Sequence, residues 1–517
     1  MIKKPYIIHP FLFALFPVLF LYAYNLEEAL PLKVIVLPAI VTTLLVFPLL
    51  FCLGFAVKDK RKAGVIVSFL LLIIFSYGHV SGFIRNDLAV CGYISCNDRY
   101  FMWYCLLSFA AGVYLVLRLR SDMRIITNVL NIISASLIII SIINIGAFNI
   151  AIAKYHQYDS SAKTSITDAV EPATAGSLRD IYYIILDRYT NADILKEIYG
   201  YDNTEFINGL TAKGFYVASQ SRSNYMSTAP SLASSLNMEY INYLSDEIGT
   251  SSKDRSMIFS MMQDYKVWRF LKSKGYRFIH MGDYYQQTVS NQYADLNINY
   301  FKLSRFNKLL FDNTILYPFT VKFGIYDERK EHWERTLYKL EKLKDIPRMN
   351  EPTFVFAHML VPHTPFVFDR NGNFLQEEIV ESRTRNNNYL EQLIFINRKI
   401  EEVIDSILSA PGKAPIIIIQ ADEGSYPTRY VREEKKYDVK KATTMEIRQK
   451  LSILNAYFLP GVDNKILYPS ITPVNSFRIV FNLYFNAGLE LLSDESYLND
   501  MDYPYMFYNV TDRFNRN

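Results

Sequence analysis

The run PIIIIQADEG leads four isoleucines straight into two adjacent acids, Asp422 and Glu423. An acid at the end of an apolar strand either caps a neighbouring helix through its side-chain oxygen or ligates a cation. Two acids together repel one another unless a cation or a shared proton offsets the charge. Asp187 has the same setting, ending the run IYYIILD just before Arg188. His358 and His363 lie five residues apart in HMLVPHTPF, separated by a proline that interrupts regular structure. Either imidazole alone is open to a structural role. The pair reads as a loop reaching into a site, where imidazole donates to phosphate oxygens or exchanges protons near neutral pH. The stretch SRSNYMSTAPSLASSLN, from Ser221 to Asn237, is crowded with hydroxyls, and Ser227 or Thr228 starts a helix with Pro230 in its first turn. A hydroxyl there also meets the positive end of the helix dipole, which suits a nucleophile facing an anionic substrate. So weak a nucleophile needs activation, and a divalent metal supplies it.

Short apolar runs recur at IYYIILD, GYRFIHM, PTFVFAHML, PIIIIQAD and ILNAYFLP, each fitting a strand buried on both faces. Between them, NNNYLEQLIFINRKIEEVIDSILSA repeats Leu393, Ile396, Ile400, Val403, Ile404 and Ile407 at helical spacing, marking one buried face. DERKEHWERTLYKLEKLKD is charged on most faces and is expected to be a solvated helix. Strands alternating with helices predict an α/β domain with a mostly parallel central sheet, whose ligands sit at the carboxyl ends of the strands. Asp187, His358, Asp422 and Glu423 all fall at such ends.

The apolar residues, half of the 517, crowd into the first third of the chain. Five stretches there approach the length of a membrane span: Ile7 to Tyr24, Val34 to Val57, Val65 to Ile84, Phe101 to Leu119 and Ile125 to Ala153. The first has no convincing small-residue cleavage site after it and reads as a retained span rather than a signal peptide. Lys3 and Lys4, KDKRKAG and RLRSDMR fall on one side, which orients that side to the cytoplasm. Five spans then place the remainder outside it. The expected organisation is a transmembrane domain over residues 1–153, a Ser/Thr/Ala-rich linker over 154–179 and an extracytoplasmic domain over 180–517. The net charge of +4 is small for this length, and the cytoplasmic loops account for much of the positive charge in the membrane region, so nothing points to nucleic acid. Cys52 and Cys105 lie within spans, and Cys91 and Cys96 share one outer loop where a disulfide is open to them.

Together IILDRYT, STAPSLAS, HMLVPHTPF and QADEG, in this order and spacing, resemble the alkaline phosphatase and sulfatase superfamily. The resemblance is to its membrane-anchored branch, which contains lipoteichoic acid synthases and lipid A phosphoethanolamine transferases. It implies that Asp187, Thr228, Asp422 and Glu423 ligate one divalent metal ion and that Thr228 is the nucleophile, with Ser227 as the fallback. It further implies catalytic roles for His358 and His363, with His363 contacting substrate phosphate. Glu423 departs from the family, which has histidine there. A carboxylate in place of imidazole hardens the ligand set and favours Mn²⁺ or Mg²⁺ over Zn²⁺. Arg188, Arg222 and Arg429 are near in sequence and are candidates to offset the added negative charge at the substrate. The implied function is transfer of a phospho-head-group, phosphoglycerol or phosphoethanolamine, from a membrane phospholipid to an envelope glycan or lipid at the bacterial plasma membrane, through a phospho-threonine. The alternatives are an extracytoplasmic phosphodiesterase or sulfatase-type hydrolase and a catalytically silent glycan-binding relative. The Cys-x-Pro-x-Arg sequence from which sulfatases make their formylglycine is missing from the chain.

Overall fold

A computed structural model describes residues 5–26, 32–83, 98–120, 122–162, 178–349, 351–433 and 437–514. Cys91 and Cys96 lie outside the described residues, as does most of the expected linker. The chain divides into two compact units, one of residues 1–163 and 302–327, the other of residues 164–301 and 328–517.

The first unit contains α1 (His9–Tyr24), α2 (Val36–Val57), α3 (Lys60–Phe83), α4 (Asp98–Arg118) and α5 (Met123–Ala162). Four of these, α2 to α5, are long and apolar enough to cross a membrane. The 16-residue α1 is shorter; at 1.5 Å per residue it spans about 24 Å, less than a ~30 Å hydrocarbon core. It is held by packing on α5, α2 and α3. Large apolar side chains such as Phe47, Phe51 and Ile132 point outward, as lipid-facing positions require. The helix α5 continues through Ala162, beyond the end expected at 153. Residues 302–327, expected within the extracytoplasmic domain, belong instead to this unit. Phe306 is buried beside Val18, Leu21 and Tyr22, and Gly78 N–H donates to the Asn313 carbonyl at 3.0 Å. Only glycine permits that approach, since a Cβ at position 78 would lie 2.6 Å from the Asn313 Cα.

The second unit is built on a seven-stranded sheet of β1 (Ile181–Leu186), β2 (Tyr216–Val217), β3 (Arg277–Met281), β4 (Leu296–Asn297), β5 (Thr353–Met359), β6 (Ile416–Gln420) and β7 (Asn455–Phe458). The order is β2-β7-β6-β1-β5-β3-β4. The stretch from β6 to β4 is parallel, while β7 runs antiparallel to β6 and β2 antiparallel to β7. Central β1 is buried at all six residues because helices cover both faces. Its side chains alternate accordingly: Ile181, Tyr183 and Ile185 enter one apolar core, and Tyr182, Ile184 and Leu186 enter the other. Each such burial contributes about 1.5–3 kcal/mol, which fixes the strand's register and the positions of the residues at its end.

One expectation about the helices is overturned. Glu328–Asp345, read as a solvated helix, buries Glu331, His332, Arg335, Thr336 and Lys339. The charges are tolerated inside because they pair: Lys339 Nζ reaches Asp283 Oδ2 at 2.7 Å, and Arg335 Nη2 reaches Glu331 Oε1 at 2.9 Å. Spacing alone could not distinguish a water-facing charged stripe from one whose counter-ion comes from a loop about fifty residues away.

Candidate metal and phosphoryl-transfer site

Three neighbouring parallel strands deliver the site. β1 is flanked by β5 and β6, with Ile185 level with both His358 and Gln420. Asp187 follows β1 directly, His358 is the penultimate residue of β5, and Asp422 comes two residues after β6. The Asp187 N–H donates to the Met359 carbonyl at 3.0 Å, which locks the first turn beyond β1 against β5. Asp187, His358 and Asp422 are each essentially inaccessible to water, and one ligand atom from each lies within 4.8 Å of the others.

The polar atoms that face one another here lack hydrogen-bond partners. Asp187 Oδ1, Asp422 Oδ2 and His358 Nε2 are all buried and unpaired, and His358 Nε2 sits 3.3 Å from Asp187 Oδ2. An unpaired buried polar atom on each of three clustered residues carries a substantial desolvation penalty, which a cation would relieve. Burial raises the pKa of both Asp187 and Asp422; Asp187 adds to the shift of Asp422, and Glu423 adds to both, as neighbouring carboxylates do. His358 is lowered to about 4, chiefly by burial, so its ring is neutral at physiological pH, the form that ligates metals. The other ring nitrogen is fixed. His358 Nδ1 lies 2.7 Å from Thr288 Oγ1, and that hydroxyl donates onward to the Tyr285 carbonyl at 3.2 Å. Its oxygen therefore accepts from Nδ1–H, leaving the Nε2 lone pair turned toward the two aspartates.

Thr228 opens the helix Thr228–Asn237, and its hydroxyl is close enough to the Asp422 carboxylate to offset part of that upward shift. Ser231, one turn on, donates to the Asp422 backbone carbonyl at 2.6 Å and fastens the helix to the end of β6. Ser227 instead turns away, its hydroxyl 3.3 Å from Asn499 Oδ1. The helix start thus presents Thr228, not Ser227, to the aspartates.

Glu423 departs from its expected place. Both of its oxygens are already engaged, Oε1 with Arg188 Nε at 2.9 Å and Oε2 with Lys450 Nζ at 2.5 Å, and all three side chains are largely buried. It is the counter-ion of two cations, and His358 occupies the ligand cluster in which Glu423 was expected. Arg188 turns back toward this acid from a left-handed conformation, φ 62°, costly for a side chain of that size and the kind of local strain found where a residue is aimed for function. Gly424 makes the rest possible. Its N–H donates to the Lys450 carbonyl at 2.8 Å, and a Cβ there would lie 2.4 Å from the Gln449 carbonyl oxygen. The tyrosine face of Tyr426 covers both cations, 3.3 Å from the Arg188 guanidinium and 3.7 Å from Lys450 Nζ.

The remaining expected residues fall in two groups. His363 lies beside Arg188 in an adjoining cavity of about 190 Å³ and is held well below its ordinary pKa, first by burial and then by Arg188. Arg222 and Arg429 are not at the site. Arg222 stacks on Phe514 at 4.5 Å, and Arg429 is held by Glu446 at 2.7 Å and Glu433 at 3.2 Å. Their nearness in sequence was misleading because both lie on segments that leave the strand ends. Lys450, Thr288 and Tyr426 were missed. Only Lys450 left a signal: a buried glutamate must find a cation, and Lys450 lies in an otherwise apolar stretch, KLSIL.

No model of a known protein family matches the chain, and no curated protein matches it. Solved structures do. The chain is similar to the zinc-bound C-terminal periplasmic domain of EptC from Escherichia coli, with 10% identity and a TM-score of 0.45 over 66% of this chain and 95% of that one. It is similar to the integral membrane lipooligosaccharide phosphoethanolamine transferase A of Neisseria meningitidis, with 13% identity and a TM-score of 0.39 over 92% of this chain and 95% of that one. A protein in the alkaline phosphatase superfamily from Vibrio parahaemolyticus is similar at 13% identity and a TM-score of 0.40, over 66% of this chain and 79% of that one.

Proposed function

We propose that the α/β unit is a metal-dependent phosphotransferase with Thr228 as its nucleophile, working on phospholipid head groups outside the cytoplasm. The observation that carries this reading is the clustering of three buried residues, Asp187, His358 and Asp422, each with a buried polar atom that lacks a partner, beside the hydroxyl that opens a ten-residue helix. A divalent ion held there by Asp187, His358 and Asp422, with Thr228 alongside, would favour the alkoxide of a hydroxyl and neutralise phosphate charge.

The chain's own residues do the rest. The N-terminus of the Thr228 helix would set its positive dipole end beside a phosphate at Thr228. Thr228 Oγ attacks phosphorus, the phosphorus–oxygen bond to the diacylglycerol breaks, and diacylglycerol leaves as the alcohol with a proton. The head group is then a phosphate ester of Thr228. An acceptor hydroxyl attacks the same phosphorus, the bond to Thr228 Oγ breaks, and the threonine recovers a proton. His363 is neutral at physiological pH and partly exposed in the adjoining cavity, so it is placed to take the acceptor's proton. His358 is fully buried, with Nδ1 bonded to Thr288 and Nε2 turned to the proposed metal position, and has no such role. Arg188 and Lys450 leave two cations within reach of the developing charge, with Glu423 holding them in place. Four apolar helices keep the enzyme in the leaflet that contains its donor.

The preference for Mn²⁺ or Mg²⁺ rested on Glu423 in the ligand shell. With an imidazole in the cluster instead, two carboxylates and a histidine form a set that zinc accepts, and affinity follows the order that places Zn²⁺ above Mn²⁺. The test is intact mass spectrometry of the full-length protein turned over with phospholipid in vesicles. A head-group phosphate adduct is expected on Thr228 in the wild type and Ser227→Ala proteins and not in Thr228→Ala. Full transfer by Thr228→Ala refutes the reading.

A further inference from the structure

The cavity next to the proposed metal ligands is lined by three arginines, of which Arg188 pairs with Glu423 and the exposed Arg432 pairs with Glu433. Arg188, His363, Arg385 and Arg432 line it with Tyr199, Tyr389, Tyr426 and small polar groups, and no aspartate or glutamate lines it among the described residues. Arg188 is tied to Glu423 through Nε and also lines the cavity. Arg432 has Glu433 at 3.6 Å, outside hydrogen-bonding distance. Arg385 has no carboxylate partner among the described residues; its guanidinium lies over the Phe366 ring at 5.4 Å.

Arg385 also stands where a cation is unfavourable. It is the first residue of the helix Arg385–Leu408, capped by Thr384, and that helix has no acid in its first turn. A helix start favours acids and disfavours bases through the macrodipole. A base at a helix start, facing another arginine across a cavity, is a local conflict of the kind that marks a binding position. An anion placed in the cavity resolves it, meeting the helix N-terminus and two guanidinium forks at once. At about 190 Å³ the space is below the ~300 Å³ at which drug-sized pockets begin, so it fits one charged group and the atoms that hold it.

We propose that this cavity is a subsite for an anionic group, a phosphate or a carboxylate, on the substrate that reaches Thr228, with Arg385 selecting it. The inference rests on the transferase reading and deepens it. An ammonium head group would face three arginines and no acid in the cavity lining among the described residues, so the cavity selects against it.

The test begins with binding, which turnover does not affect. Full-length protein in detergent, bearing Thr228→Ala, is titrated calorimetrically with glucuronate, glucose and glucosamine. Glucuronate is expected to bind at least tenfold more tightly than either other sugar; Arg385→Gln should abolish the preference and Arg385→Lys should keep part of it. Equal binding of the three sugars, or a tenfold preference that survives Arg385→Gln, overturns the proposal. Two kinetic arms then locate the anion. One compares phosphodiester donors with a carboxylate or an ammonium on the head group, and the other compares glucuronate with glucose as acceptor. A rise in KM on Arg385→Gln confined to the anionic donor or to the anionic acceptor assigns the group to that partner; no change in either arm overturns the proposal. Retained transfer by Thr228→Ala would refute the transferase reading and leave the binding result standing.

Discussion

Glu423 is the most informative residue to change, because its role as a counter-ion and its expected role as a ligand predict different outcomes. In Glu423→Gln the shape is kept and the charge removed. Lys450, 3% exposed, then loses a 2.5 Å partner, and Arg188 loses a 2.9 Å one. Breaking a buried pair from one side costs about 3–5 kcal/mol, since the remaining charge stays buried. Some of that returns, because Arg188 Nε is already 4.0 Å from Asp187 Oδ1 and is free to move closer. The net loss should be about 2–4 kcal/mol, taken from a domain stability of about 5–15 kcal/mol. The compensation has a consequence at the metal site. A guanidinium that turns to Asp187 competes for a ligand oxygen, so metal affinity should fall by about tenfold, roughly 1.4 kcal/mol, although Glu423 is not itself a ligand. Replacing Lys450 as well, in Glu423→Gln/Lys450→Met, should recover about 1–3 kcal/mol of stability, because the uncompensated charge is removed with its partner. Trp268 and Trp333, both in the α/β unit, report its unfolding by fluorescence, and calorimetry of the apoprotein with zinc reports affinity. Additive effects of the two substitutions would refute the counter-ion account. So would a Glu423→Gln protein that melts with the wild type yet has lost metal binding entirely, which is the pattern of a ligand.

Two further predictions concern the supporting shell. Thr288→Val removes the hydroxyl that fixes His358 Nδ1 while keeping the volume, and should weaken metal binding about 10- to 100-fold in the same calorimetric assay with little change in fold. Asp283 is buried, which alone would raise its pKa, but Lys339, His332 and Arg335 together hold it well below its ordinary value. A carboxyl lowered by folding contributes stability that is full above its unfolded pKa of about 3.9 and is lost as the pH falls toward the folded value. The wild-type α/β unit should therefore lose stability from about pH 4 downward. Asp283→Asn should be less stable at pH 7 by about 3–5 kcal/mol and show a flatter acid limb, both read from denaturant unfolding across pH.

Five of the seven strands of the central sheet, the buried face of the Arg385 helix and the acids and His358 at the strand ends were legible in the sequence; the two-residue β2 and β4 were not. The reason is periodicity: a strand such as Ile181–Leu186, apolar on both faces, has no stable place except inside a covered sheet, and its next residue must then emerge at the edge. The order of the motifs also showed which hydroxyls to suspect. Local sequence could not show how these residues are shared out. Thr228 and Ser227 are adjacent and chemically alike, and only the direction in which the helix start faces Asp422 separates them. Charge partners were equally hidden, because ion pairs form across large sequence separations: Glu423 finds Arg188 from one strand end and Lys450 from a helix end. That pairing engages both Glu423 oxygens with cations, and the alignment of β1 with β5 brings His358 beside Asp187. The acidic pair in PIIIIQADEG looked like one feature in sequence. In the fold Asp422 joins Asp187 and His358, and Glu423 pairs with two cations, because Gly424 lets the chain press against the end of the Thr444 helix.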